Sequence, residues 1–506
     1  MYVEFLKYKF QDSYEGVITK TKFKIGVRHV QMLYMFLGSV VMGGMRGCIG
    51  IEILAIVDST RRNDSYIQIH DWDRRVQGTI ISSFFFGYAV MLLPAELYLK
   101  SFGDKFVITS VLLINGALSA AMPTIVNRGG WAAMCNAHFL MGMTQACISP
   151  VNQALLSKWL PPIERNPFGC LIDTGLYLGI IAALPLSGLL SETRLGWELI
   201  FYSQAIMTLS MAAMWGLLTA SSPDEHQAVG DSEKEYIKET LACYRMKRLQ
   251  KPWRNILRSR QIWAIVCAHA ASNILFVFYL VDIPLYLKSK GLSLKECAQQ
   301  TMLAVIALWF MYTTTTPTVD WFFKTGFITY ICDVTYARKF VNALGAFSIV
   351  IGLLILPNIT VEWPYIRLTV LIAILGILGF QYTGFLENLR DISQNYCGTL
   401  IVVSSSFASI LAAVTPLLHG FILSTEVEDA NRWRILFSSL AIVYAFCNII
   451  YTVFGSSDRT DWDDIGKNKF GYHNSAIADN DTNELELHET NHSDTKLSKL
   501  EADTAM

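Results

Sequence analysis

Long apolar runs alternate with short polar breaks from residue 30 to residue 455. A helix needs about 20 largely apolar residues to cross the hydrocarbon core of a bilayer. By that measure the pattern predicts twelve membrane helices, at 30–57, 78–99, 106–126, 131–156, 170–190, 197–219, 262–287, 298–320, 340–357, 365–386, 397–423 and 432–455. The run at 298–320 is the least regular, because Thr313 to Thr316 are followed by Pro317, which predicts a polar and broken segment. The pattern is clearest from His138 to Tyr202. One apolar run passes Gly142, Gln145 and Pro150 and reaches a hinge, Ser157-Lys158-Trp159-Leu160-Pro161-Pro162-Ile163-Glu164-Arg165. A second run carries Gly175, Gly179, Pro185 and Gly188. Small residues of this kind let two membrane helices approach closely, and the paired prolines stop the helix before them.

Composition supports the pattern. Hydrophobic residues are 52% of the chain and charged ones 16%, whereas soluble domains carry about 25% charge. Mean hydropathy is +0.35. The chain reads as an all-α polytopic membrane protein. A net charge of -1 gives no case for nucleic acid as a partner; the partner it implies is the lipid bilayer. The ten cysteines form no Cys-x-x-Cys pair, so they read as small buried hydrophobes rather than metal ligands. No phosphate-binding Gly-x-x-x-x-Gly-Lys-Ser/Thr loop is present, which argues against ATP as an energy source, and no inner-loop motif suggests an enzyme. No cofactor is expected. The first thirty residues lack the apolar core and cleavage site of a signal peptide.

The polar stretches set the expected organisation. Residues 1–29 form an N-terminus, 30–219 a first six-helix bundle, 220–261 a basic loop, 262–455 a second bundle and 456–506 an acidic tail read as disordered. The 220–261 loop holds nine Lys or Arg, which places it and both termini in the cytoplasm. That orientation puts the sequons at Asn63 and Asn358 outside and leaves those at Asn480 and Asn491 unused. Arg61, Arg62, Arg74 and Arg75 in and after the first outer loop cut against it. Pro185-Leu-Ser-Gly188 before Trp197, and Pro416-Leu-Leu-His-Gly420 before Trp433, fall at matching places in the two halves and suggest an internal repeat.

Over roughly residues 30–462 the chain resembles the major facilitator superfamily. Within it, the chain is similar to the anion/phosphate symporter family of sialin, the vesicular glutamate and nucleotide transporters and the insect inorganic phosphate cotransporters. The marks are Arg46, Gly78-x-x-x-Ser82-Ser83-Phe84-Phe85-x-Gly87-Tyr88, Pro94, Phe102-Gly103, the 157–165 hinge and the glycine ladder after it. Pro252-Trp253, Pro284-x-Tyr286, Asp320-Trp321, Arg338-Lys339, Asn388-x-x-Asp391 and Asp461-Trp462 follow in order. The resemblance implies the major facilitator fold, twelve helices in two six-helix bundles, and Arg46 as the site of an anionic substrate. The departures from the family pattern are specific. His138 stands where most members have an arginine, Gln145 where a glutamate is frequent, Leu92 where relatives often carry glutamine, and Ser272 where the glutamate transporters carry an arginine.

Several residues carry candidate chemistry. Arg46 sits deep in the first helix, where a charge costs several kcal/mol unless it faces a polar cavity or a partner. Its guanidinium is a permanently charged fork suited to carboxylate or phosphate; the alternative role is a fixed salt bridge. His138 and Gln145, seven residues apart, share a helix face and are expected to line the cavity with Arg46. His138 is expected to bind an anion when protonated, near its ordinary pKa of about 6.5. Tyr88 adds a hydroxyl to the aromatic strip of Phe84 and Phe85. Glu52 and Asp282 are the proton-coupling candidates, and Glu96, Asp173, Glu164 and Arg165 are gating or structural contacts. Together these point to a secondary transporter of a small organic or inorganic anion, phosphate or carboxylate, coupled to Na+ or H+, in the plasma membrane or a lysosomal or vesicular membrane. The alternatives are a carrier of a neutral or cationic solute and a non-transporting sensor or scaffold.

Overall fold

The computed structural model describes residues 26–61, 66–243, 251–324, 333–360, 362–393, 396–423, 429–460 and 462–463. Asn63, Asp461 and the tail sequons at Asn480 and Asn491 lie outside the described residues. The elements among the described residues are helical: α1 Val27–Ile56, α2 Arg74–Leu92, α3 Ala95–Phe102, α4 Asp104–Gln145, α5 Ile148–Trp159, α6 Pro162–Ser191, α7 Trp197–Leu218 and α8 Asp231–Cys243. Then come α9 Trp253–Arg258, α10 Arg260–Ser289, α11 Leu294–Lys324, α12 Val334–Ile355, α13 Pro364–Phe385, α14 Asn388–Ile392, α15 Cys397–Ile422 and α16 Ala430–Phe454.

Ten segments among the described residues are long and apolar enough to cross a membrane. One of them, Asp104–Trp159, holds two crossings. At Gly130 the backbone turns to φ 63, ψ -160, a left-handed excursion that suits glycine. The chain reverses there: Asn115 Nδ2 donates to Thr144 Oγ1 at 2.8 Å, and Gln145 Nε2 donates to Asn115 Oδ1 at 3.0 Å. Residues that far apart on a straight helix would be about 45 Å distant. The twelfth crossing is α2, whose 19 residues begin with Arg74 and Arg75 and so lower its mean hydropathy.

Local chemistry sets several ends. Asp73 caps α2 by accepting from the Val76 amide at 2.9 Å. Pro94 ends the second crossing, and α3 follows as a separate short helix rather than a continuation to residue 99. The fourth crossing stops at Leu160, and Pro162 opens α6, a position where proline's missing N–H is no loss. The fifth crossing therefore starts earlier than the apolar pattern predicts. The expected break at Thr313–Pro317 does not occur. Helix α11 runs unbroken through Pro317, and two of the threonine hydroxyls turn back onto their own helix: Thr313 donates to the Trp309 carbonyl at 2.8 Å and Thr314 to that of Phe310 at 2.7 Å, while the Thr316 hydroxyl is buried without a partner. Hydroxyls satisfied in this way need no polar surroundings.

Among the described residues these crossings form two six-helix bundles. In the first, α1 packs on α6 and α7, and α4 on α2 and α7; in the second, α13 packs on α11 and α12, and α10 on α15 and α16. Glycines let α1 and α6 touch: a Cβ on Gly179 would lie 1.9 Å from the Val40 carbonyl oxygen. The second bundle is pinned by neutral amides, with Gln381 Nε2 donating to Asn342 Oδ1 at 2.9 Å and to Asn448 Oδ1 at 2.8 Å. The bundles meet along α2 with α15, α6 with α11, and α1 with α10.

Candidate substrate-binding site

Where the bundles meet, near mid-height, lies a cavity of about 180 Å³. The first bundle lines it with Arg46 from α1 and Phe84, Phe85 and Tyr88 from α2. The second contributes His269, Asn273, Phe276, Val277 and Leu280 from α10, with Ser405 and Ser409 from α15.

Arg46 is held rather than neutralised. Its guanidinium carbon lies 4.7 Å from the centre of the Tyr88 ring, a cation–π distance. Its Nη2 is 3.5 Å from Gln145 Oε1, at the long limit of a hydrogen bond. Its Nε is buried and unpartnered. No carboxylate pairs with Arg46 among the described residues, so the salt-bridge alternative finds no support there. A guanidinium with an open donor at membrane depth is ready for an anionic oxygen.

The other expected residues fall around this centre or away from it. Gln145 serves as a brace between Arg46 and Asn115 rather than a wall of the cavity. His138 is buried outside the cavity's lining, with Nδ1 3.1 Å from the Met134 carbonyl of its own helix. Helices α2 and α4 touch here: a Cβ on Gly142 would lie 2.0 Å from the Phe84 carbonyl oxygen. Glu52 is buried beyond Arg46 and does not pair with it; it accepts from Gln204 Nε2 of α7. Asp282 pairs with His419 of α15, Nδ1 to Oδ2 at 2.6 Å.

The remaining acids sit at the side of the molecule that carries the described chain ends. Glu164 binds Arg28 at 3.1 Å, and Glu233 of α8 binds the same guanidinium at 3.3 Å. Arg165 donates to the Ser157 and Leu160 carbonyls at 2.8 and 3.0 Å, closing the hinge. Asp173 is exposed on α6, and the side chain of Glu96 in α3 lies outside what the structure describes. Asn358 is exposed in the turn after α12, on the opposite, far side.

The sequence reading missed the second bundle's half of the cavity. His269 donates to or accepts from Ser404 Oγ at 2.8 Å, and Asn273 lies one helical turn further on. The available signal was their spacing, i and i+4 within an apolar run. It is a weak signal, because single polar residues are common where membrane helices pack.

Comparison with known proteins agrees with the fold. The chain is 28% identical over 452 residues to a "Putative inorganic phosphate cotransporter" of Drosophila ananassae, covering 85% of this chain and 92% of that one. It is 24% identical over 493 residues to vesicular glutamate transporter 1 of Xenopus laevis, covering 94% and 84%. Among solved structures it is similar to an inward-open xylose transporter of E. coli, with TM-score 0.62 and 13% identity over 83% of this chain and 95% of that one. A bacterial homolog of the human lysosomal transporter Spinster, inward-facing and unoccupied, gives TM-score 0.63 at 13% identity, covering 84% and 96%. Residues 35–386 match the family model of the Major Facilitator Superfamily, and with two helical bundles closing on the cavity that Arg46 lines, the chain belongs to that superfamily of membrane transporters, not to an enzyme family.

Proposed function

We propose that this transporter is a secondary active carrier of a small organic or inorganic anion, phosphate or a carboxylate, that uses a sodium or proton gradient and alternating access of the two bundles. The observation that carries the reading is Arg46: a permanent cation at membrane depth, unpaired with any described carboxylate, facing a cavity walled by both bundles. Such a charge is costly in a membrane protein without a partner, and a substrate anion is a partner that can come and go. In this reading Arg46 and Tyr88 hold the anion, Gln145 braces the guanidinium, and His269, Asn273, Ser405 and Ser409 supply neutral hydrogen bonds from the opposite wall. The names of the relatives, phosphate cotransporter and vesicular glutamate transporter, support the same class.

We also assign both termini and the 220–261 segment to the cytoplasm, on the basic charge of that segment, and the protein to the plasma membrane or a vesicular membrane. The test is uptake by purified protein in liposomes. Labelled phosphate, glutamate, sialate and urate are offered under imposed proton or sodium gradients. Gradient-dependent accumulation of at least one is expected; transport of only neutral or cationic solutes would overturn the reading.

A further inference from the structure

The far side of the molecule is sealed where the bundles press backbone on backbone. A Cβ on Gly50 of α1 would lie 2.2 Å from the Leu280 carbonyl oxygen of α10, and one on Gly78 of α2 would lie 2.4 Å from that of Pro416 in α15. Between these two contacts a cavity of about 30 Å³ remains. Into it face Arg74 and Gln77 of α2, Asp282 of α10 and His419 of α15. Asp282 and His419 are both buried and 2.6 Å apart. Arg74, from the other bundle, acts electrostatically on Asp282 across the seam and donates to Gln77 of its own helix.

We propose that Asp282 and His419 form a buried proton-binding site which, with Arg74, sets whether the far-side seam is closed; the inference rests on the anion-carrier reading and assigns its coupling ion as a proton. The ligand follows from the space and the charges. About 30 Å³ admits one or two waters, since about 10–15 Å³ holds one, so a proton has access and an organic ion does not. Sodium is disfavoured as well. The carboxylate of Asp282 is flanked by an imidazole and a guanidinium, and a sodium ion needs oxygens.

The charge count gives the direction. With His419 neutral, Arg74 and Asp282 balance across the seam. One added proton on the pair leaves a net positive charge between α2 of the first bundle and α10 and α15 of the second. That charge is Arg74's own, left without a net negative partner across the seam, and the lost attraction loosens the seam. The surrounding groups do not cancel it. Helix α1 presents Gly50, Ile53 and Leu54, all uncharged. Helix α15 presents the Phe421 ring to Arg75, 5.1 Å from its centroid. Arg432 of α16 is bonded to the Ile422 carbonyl at 2.8 Å, and Arg367 of α13 lies toward Tyr286. Outward, Lys288 is already paired with Asp58 at 2.9 Å.

The experiment places a reporter cysteine in the seam of the full-length chain in liposomes, Ile81→Cys, with Leu285→Cys as a second reporter. Each is reacted with a membrane-impermeant thiol reagent at about pH 5.5 and about pH 7.5, either side of histidine's ordinary range. Rates are divided by that of Leu195→Cys, an exposed residue of the far-side turn between α6 and α7, which cancels thiol ionisation and vesicle orientation. The normalised rate is expected to rise about tenfold on acidification, the effect of a proton worth about one pH unit of coupling. His419→Gln is expected to be slow at both pH values, and Asp282→Asn and His419→Arg fast at both. A flat profile without these changes overturns the proposal, as does an unchanged pH dependence in whichever of the three variants reaches the membrane. The labelling needs no substrate. Failure to transport any anion, with the labelling still pH-dependent, would therefore sink the carrier reading and the assignment of the proton as its coupling ion but not the proton site, and a flat labelling profile would sink the proton site alone.

Discussion

Gly50→Ala is the smallest change that should move the transporter between its two states. The three atoms nearest to an added Cβ are Leu280 O at 2.2 Å, Val281 Cα at 3.0 Å and Leu280 C at 3.1 Å, all backbone of α10. None can rotate away, so α1 and α10 must part by about 1 Å to restore contact distance. Overpacking of this kind costs about 1–3 kcal/mol. The cost falls only on the state in which the far-side seam is shut, because the contact is between bundles. The open state gains by that difference, about 5- to 150-fold in population. The control is Gly43→Ala, whose Cβ would meet the Leu176 carbonyl at 2.1 Å inside the first bundle; it should lower the yield of folded protein without favouring either state. The assay is the normalised labelling of Ile81→Cys in liposomes, expected to rise in the Gly50→Ala background and not in Gly43→Ala. Equal labelling in Gly50→Ala and its parent, with both correctly inserted, would refute the idea that backbone contact at Gly50 seals the far side.

Other predictions follow from the ends of the molecule. Arg28→Ala leaves Glu233 buried without its cation and Glu164 without a partner; breaking a buried pair costs about 3–5 kcal/mol, and a loss of thermal stability in detergent is the expected readout. Burial pushes the Asp58 carboxyl up, but Lys288 at 2.9 Å and the Thr60 hydroxyl and amide outweigh it and hold it below the usual value. Because the folded state depresses this group, its contribution is present above the unfolded pKa of about 4 and disappears as pH falls through the lower folded value. The difference in melting temperature between wild type and Lys288→Met should accordingly be constant near neutrality and shrink only below about pH 4. Glycan mapping in a eukaryotic host should find Asn63 and Asn358 modified and Asn480 and Asn491 bare; glycan on either tail site would reverse the orientation.

Most of the fold was legible because a membrane leaves few choices. Runs of about 20 apolar residues must be helices, since no water is present to satisfy the backbone otherwise. The misplaced ends came from backbone events that hydropathy does not register. Pro94 cuts α2 short and Pro162 starts α6 in a polar segment, whereas the reversal at Gly130 falls in the polar break 127–130 that separates the expected helices 106–126 and 131–156. The smooth passage of α11 through Thr313–Pro317 was unreadable because threonine hydroxyls can serve either a polar pore or their own helix.

At the site, Arg46 stood out as a charge where charges are expensive. Its companions were only half legible. Seven-residue spacing does place His138 and Gln145 on one face, but that face packs against α2 and the Asn115 brace rather than opening wholly into the cavity. His269 and His419 each occupy an apolar run of the second half, and only their partners on another helix, Ser404 and Asp282, give them meaning. Pairings between helices more than a hundred residues apart are not written in one helix's pattern.

The central claim is that Arg46 is the cation that holds a transported anion. The direct measurement is gradient-driven uptake by Arg46→Lys and wild type in liposomes, side by side, for whichever of phosphate, glutamate, sialate and urate the wild type accumulates. Lysine keeps the charge and loses the planar fork that the open Nε and the Tyr88 face position. Losing a charge-assisted hydrogen bond is worth about 1.5–3 kcal/mol, so kcat/KM for the anion should fall by about 10- to 150-fold while the variant inserts and folds like wild type. Uptake at the wild-type rate in Arg46→Lys would contradict the account.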